Sequence, residues 1–172
     1  MMRNLLDAIW PTDDSIKTLL DLGCGDLWFT VGLPGVETHV GIDLFDQYLE
    51  EARQKQAPGF TGINRDLREF LKECPRKSYD AVLAIDVIEH FEEPQGLWIL
   101  SQMERVAAKL VIVWTTLGFI EQGPYDNNGV YNLYQEHKWG PAVDSFPATW
   151  SVDIYPDWHG ARGGGIFAYR FK

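Results

Sequence analysis

Cysteine is scarce in this chain of 172 residues: Cys24 and Cys74 are the two it has, too few for a disulfide framework or a thiolate ligand set. A reduced, cytoplasmic setting is therefore expected. Basic residues are also in short supply, 15 Lys and Arg against 25 Asp and Glu, for a net charge of -10. That balance argues against a nucleic-acid backbone as partner, because phosphate binding needs a basic footprint. No apolar run reaches membrane-spanning length, so no membrane partner is expected. The opening stretch MMRNLLDAIWPTDD is too short and too acidic to read as a signal peptide. Internal repeats and low-complexity tracts are missing as well. What remains is a polypeptide with 45% apolar and 23% charged residues, suited to one domain with a proper core, over residues 1–172.

Within it, strand and helix signals alternate from residue 17 to about 115. Strand-like runs occur at 17–22 (KTLLDL), 39–43 (HVGID), 60–64 (FTGIN), 79–86 (YDAVLAID) and 109–116 (KLVIVWTT). Between them lie amphipathic stretches. One is DQYLEEARQKQ at 46–56. In DLREFLKEC the residues Leu67, Phe70, Leu71 and Cys74 share a helical face, and a third stretch opened by Pro94 puts Ile99, Met103, Val106 and Ala107 on one side. This alternation predicts an α/β fold with a doubly wound, mostly parallel sheet and helices on both faces. The pattern changes at residues 118–150, which carry turn residues and seven aromatics (Phe119, Tyr125, Tyr131, Tyr134, Trp139, Phe146, Trp150) with little periodicity. A long loop that covers a site is expected there. The final stretch SVDIYPDWHGARGGGIFAYRFK reads as an antiparallel strand pair about a glycine-rich connection, with Pro156 at a strand end or edge.

The first strand runs into LLDLGCGDLWFT, residues 19–30. In an open parallel sheet, ligands bind beyond the carboxyl ends of the strands where the strand order reverses, so Asp21, Gly23 and Gly25 are placed at that crevice. Asp43 ends the next strand roughly 20 residues later, the spacing of a carboxylate that accepts from ribose hydroxyls. A dinucleotide loop would need a small residue where this chain has Trp28. Nicotinamide and flavin are thereby disfavoured.

LLDLGCGD, Asp43 after the second strand, Asp66 after the third, and YDAVLAIDVIEHFEEP at the fourth resemble the class I S-adenosylmethionine-dependent methyltransferases, in their small-molecule branch. The resemblance runs from about Leu19 to Thr116 and implies a seven-stranded sheet closed by an antiparallel pair. It also implies S-adenosyl-L-methionine as cofactor. The backbone at Gly23 and Gly25 would approach the methionine part, Asp43 with Leu44 the ribose, Asp66 with the Leu67 amide the adenine, and Ala84 and Ile85 would border the methionine part again. One departure is Leu27, where such enzymes carry a third glycine. A short or displaced first helix is expected to follow.

Plainer roles compete with several of these. Asp66 with Glu69 also reads as a helix N-cap with a capping box. Glu89 suits the positive end of a helix. His90 is placed as a structural or cofactor-proximal residue ahead of a general base, since no tuning partner shows in the sequence. His39 reads as an ordinary strand residue. Asp86, Asp126, Asn127 and Asn128 could offer oxygens to magnesium, but nothing fixes them around one point, and no metal is expected. The aromatics of the long loop could belong to the core.

The leading reading is an enzyme that moves a methyl group from S-adenosylmethionine to an oxygen or nitrogen of a small-molecule acceptor. His90 and His137 are the candidate bases, and Tyr134 and Trp139 the wall against the acceptor. Base methylation is disfavoured because the fourth strand leads into AIDVIEH rather than an N-P-P-Y type of motif. A protein methyltransferase and a non-catalytic module that keeps the fold are the alternatives.

Overall fold

In the computed structural model, which describes residues 2–125, 129–158 and 160–172, seven strands form one sheet in the order β3-β2-β1-β4-β5-β7-β6. They are β1 (Thr18–Leu22), β2 (Thr38–Asp43), β3 (Phe60–Asn64), β4 (Tyr79–Ile85), β5 (Ala107–Leu117), β6 (Ser151–Tyr155) and β7 (Gly164–Phe171). β1 to β5 run parallel, β7 is antiparallel to β5, and β6 is antiparallel to β7. The expected doubly wound sheet with a closing antiparallel pair is the observed one. Pro156 directly follows β6, where it withdraws no ladder donor.

Four helices cover the sheet: α1 (Met2–Ile9), α2 (Asp46–Gln54), α3 (Leu67–Glu73) and α4 (Glu93–Val106). The alternation of side chains along each strand decides which face each serves. Leu20 and Leu22 of β1, Val82 and Ala84 of β4, and Val111 and Val113 of β5 pack with α3 and α4. Leu19, Leu83, Ile112 and Trp114 point the other way, where Met2 and Leu6 of α1 cover them. Asp21, Gly41 and Gly62 are in register across β1, β2 and β3. A Cβ at Gly62 would meet Leu49 of α2, so α2 lies on the α1 side. Helices on both faces follow from strands that are apolar on both faces.

The helix expected after the first strand is missing. Residues 23–37 form turns, and Leu27 sits in the left-handed region at φ 66 with its side chain fully buried among Cys24, Leu49 and Ala52. Its carbonyl accepts from the Thr30 and Val31 amides at 3.2 and 3.1 Å, and the ladder goes no further. The amino-terminal helix fills the gap. Arg3 donates to the carbonyls of Val31 at 2.6 Å and of Phe29 and Gly32 at 3.3 Å, and the Trp10 indole donates to the Pro34 carbonyl at 2.9 Å. Carbonyls that a helix would satisfy internally are thus satisfied from α1.

The region from 118 to 150 divides in two. Trp139, Phe146 and Trp150 are buried in the core on the α4 side, and Gly96 of α4 leaves the room that the Trp139 ring occupies. Phe119, Tyr125, Tyr131 and Tyr134 are exposed, with Tyr125 and Tyr131 bridged and their rings 5.3 Å apart. Only the stretch before Trp139 has the character of a cover. Among the described residues, no helix is long and apolar enough to cross a membrane.

Candidate functional site

A cavity of about 840 Å³ opens at the carboxyl ends of β1, β2 and β4. From β1 the chain steps outward to β2 and β3 and then crosses back to β4 on the other side of β1, and this reversal parts the connections and leaves the crevice. Gly23 and Gly25 form its floor beside β1, at φ 62 and 52. A Cβ at Gly23 would stand 2.5 Å from Val87 Cγ2, so glycine is required by the neighbouring wall. At Gly25 a Cβ would meet nothing within 4 Å. There the left-handed backbone selects glycine, and open space lies above it.

Asp43 ends β2 and pins this floor. One carboxylate oxygen accepts from the Gly25 amide at 2.9 Å, the other from the Phe45 amide at 2.9 Å. Burial pushes the carboxyl up from its ordinary range, and the Phe45 and Gly25 amides act against that rise. Each oxygen keeps a lone pair for a further donor. Leu44 and Leu67 line the cavity next to it.

Asp66 also lines the cavity and is the N-cap of α3, accepting from the Arg68 amide at 2.8 Å. The expected capping box does not form, because Glu69 pairs with Lys72 at 2.7 Å. The Arg68 guanidinium holds Asp66 below the usual carboxylate range, bonding both of its oxygens. An adenine amino group approaching Asp66 meets an acceptor already shared with Arg68.

Asp21, Ala84 and Ile85 are placed differently from one another. Asp21 lines the inner end of the cavity, its carboxylate largely buried and bonded to the Thr30 hydroxyl at 2.7 Å and to His39 Nε2 at 3.2 Å. It braces the turn segment against β2, and His39 is a partner in that brace rather than a plain strand residue. Ala84 is fully buried with its side chain in the core on the α4 side. Ile85 lines the cavity, because the strand pleat sends alternate side chains to opposite faces. Cys24 borders the cavity as a neutral thiol, since burial pushes its pKa up.

The other end of the cavity is built by DVIEH. Asp86 follows β4 at φ 53 and opens onto the cavity, where the surrounding walls and the Glu89 carboxyl push its own carboxyl up. Glu89 is 1% exposed. One of its oxygens accepts from the Thr115 hydroxyl at 2.9 Å, and burial pushes this carboxyl up too. His90 lines the cavity with Nδ1 3.2 Å from the Glu136 carbonyl, and burial holds the imidazole below its ordinary range. A carbonyl only accepts, so Nδ1 carries the proton and Nε2 the lone pair.

The segment after β5 is fastened to this end: the Lys138 and Trp139 amides donate to the Glu89 carbonyl at 2.8 and 3.1 Å. Asn132, Tyr134, Gln135 and Lys138 line the cavity from above. Trp139 does not. The expectation that it walls the acceptor is corrected: its indole is drawn into the gap over Gly96, where its apolar area is buried. His137 does not line the cavity either, but its ring lies 4.9 Å from that of His90. Of the magnesium candidates, Asp126, Asn127 and Asn128 lie outside the described residues. Sequence reasoning missed Asn132, Arg68 and the exposed Trp28, which also line the cavity.

Strand order, crevice and acidic strand end together define a Rossmann-like α/β domain of the methyltransferase type. A family described as "Methyltransferase domain" matches residues 20–112, more than half of the sequence, and the chain belongs to this family. Over 87 residues it is 33% identical to the ubiquinone biosynthesis O-methyltransferase of Paraburkholderia phytofirmans, a match covering 47% of this chain and 36% of that protein. The matched stretch thus spans little more than a third of that relative. The N-methyltransferase NodS of Bradyrhizobium japonicum superposes with a TM-score of 0.69 at 14% identity, covering 99% of this chain and 93% of that one. A magnesium protoporphyrin IX methyltransferase from Synechocystis, solved with bound SAH, gives 0.67 at 14% identity, covering 99% and 82%. A SAM-dependent methyltransferase from Archaeoglobus fulgidus gives 0.67 at 16% identity, covering 99% and 92%. At these identities, the three solved structures share the fold.

Proposed function

We propose that the chain transfers a methyl group from S-adenosylmethionine to an oxygen or nitrogen of a small-molecule acceptor. The observation that carries this reading is the Asp43 carboxylate fastened to the Gly25 amide, beneath open space, at the point where the sheet reverses. The residues fit such a cofactor. Asp43 has lone pairs left for ribose hydroxyls, the backbone at Gly25 admits close approach, and Ile85 offers an apolar border. When bound, the cofactor supplies an electrophilic methyl carbon on a sulfonium.

The chain's own residues then have two tasks. The first is to align acceptor and methyl carbon and to keep water out, for which the 132–138 stretch stands over the cavity. The second is to take the proton that an oxygen acceptor gives up, and Asp86 and His90 line the edge where that proton would leave. The relative named for ubiquinone biosynthesis and the neighbour named for protoporphyrin support a small-molecule acceptor.

Transfer of radiolabel from methyl-labelled cofactor to an extract, followed by ultrafiltration, tests the proposal. Label in the low-mass fraction is expected. Label confined to protein would make the chain a protein methyltransferase. No label, with no calorimetric binding of S-adenosylhomocysteine, would make it a non-catalytic module.

A further inference from the structure

Among the described residues, Glu89, His90 and His137 each bring one ligand atom to within 4.8 Å of the others. They come from two separate stretches of chain, brought together by the amides of Lys138 and Trp139 on the Glu89 carbonyl. Independently of this proximity, Glu89 Oε1 is buried and has no hydrogen-bond partner, while its other oxygen is taken by Thr115. A buried carboxylate oxygen without a donor is costly unless a proton or a cation meets it.

Both imidazoles are prepared in the same sense. His90 Nδ1 lies 3.2 Å from the Glu136 carbonyl and His137 Nδ1 lies 2.7 Å from the Ile120 carbonyl. The Glu136 carbonyl fixes the His90 proton on Nδ1 and leaves its lone pair on Nε2, and the Ile120 carbonyl orients the His137 ring. This is the outer-shell arrangement that orients a metal-ligating histidine.

We propose that Glu89, His90 and His137 bind one divalent cation of the zinc class, at the edge of the cavity that His90 lines. Two imidazoles and one carboxylate suit zinc, and three protein ligands leave a fourth position for water or an acceptor atom. Ligands about 2.0–2.2 Å from zinc in a tetrahedral set stand about 3.4 Å apart, so the three atoms need to close by little over an ångström. The cation would clamp the segment after β5 to the turn after β4, and it requires no methyl transfer.

The test uses the full chain, stripped with chelator and dialysed against excess Zn²⁺. One zinc per chain is expected by elemental analysis, with a rise in Tm. Co²⁺ in its place should give the intense visible bands of a four-coordinate ion. His137→Ala and Glu89→Gln should each weaken zinc binding at least tenfold and abolish those bands. If Glu89→Gln does not fold, His137→Ala on the chain's periphery decides the matter, its fold checked by circular dichroism. Failure of the wild type to take up zinc stoichiometrically would overturn the site and leave a proton on Glu89. Uptake that survives His137→Ala unchanged would overturn it as well.

Discussion

Gly96 of α4 lies directly beneath the Trp139 indole, so closely that a Cβ at position 96 would collide with the ring. The carboxyl-terminal part of the long segment is held to the core by this contact. Gly96→Ala is expected to destabilise by about 1–3 kcal/mol through overpacking, more than its gain in helix propensity returns. Trp139→Ala should cost about 3–5 kcal/mol. Urea unfolding measures both. A Gly96→Ala protein as stable as the wild type would show that the ring does not sit there.

Asp43→Ala should lower affinity for S-adenosylhomocysteine by about 2–4 kcal/mol, because it removes charged acceptors from the ribose and frees the Gly25 amide. Asp66→Asn should cost less, since Arg68 already draws on both Asp66 oxygens and an amide oxygen still caps α3. Calorimetry on the folded variants compares the two. Equal losses would shift the main contact toward the third strand.

Leu27→Gly sets two effects against each other. Glycine relieves a left-handed backbone worth about 1–3 kcal/mol. It also empties a fully buried leucine site, worth about 2–5 kcal/mol. Packing is the larger, so a net loss of about 1–2 kcal/mol is expected in chemical unfolding, the difference between those two ranges. A gain in stability would mean that the strain outweighs the packing.

Glu104 joins α4 to the sheet's far edge, accepting from the Trp150 indole at 2.6 Å and from Arg170 at 2.7 Å. Burial alone would raise its pKa, but the Arg170 and Trp150 bonds outweigh that and hold it below the usual glutamate value of 4.5. A depressed folded-state pKa gives stability that is complete above the unfolded value and lost as pH falls through the folded one. Glu104→Gln should therefore cost about 1–3 kcal/mol at neutral pH and progressively less below 4.5. A pH series of unfolding midpoints checks the convergence of mutant and wild type.

Much of this is legible in residue order. The strands at 60–64 and 79–85 follow from apolar runs bounded by turns, and the Asp43 position from its distance to the glycines. The burial of Trp139 is not, because aromatic character does not say which surface a ring faces. The available signal is Gly96, a glycine inside a helical stretch, which marks a close approach. The Asp21–His39 brace needs the register of β1 on β2, which no local pattern contains. The grouping of Glu89 with His137 likewise depends on a fold-back of the chain rather than on any spacing.

Arg3 gathers carbonyls of the segment that follows the glycine floor, and this ties two remote parts of the molecule into one equilibrium. The segment's shape is dictated from outside, so its own side chains are released from helix-forming duty and Trp28 is free to stand at the cavity mouth. By reciprocity, whatever settles the glycine floor must also settle the amino-terminal helix, and to the same extent in free energy. Ligand occupancy would then register as slower amide exchange at Met2–Ile9, a helix that does not line the cavity.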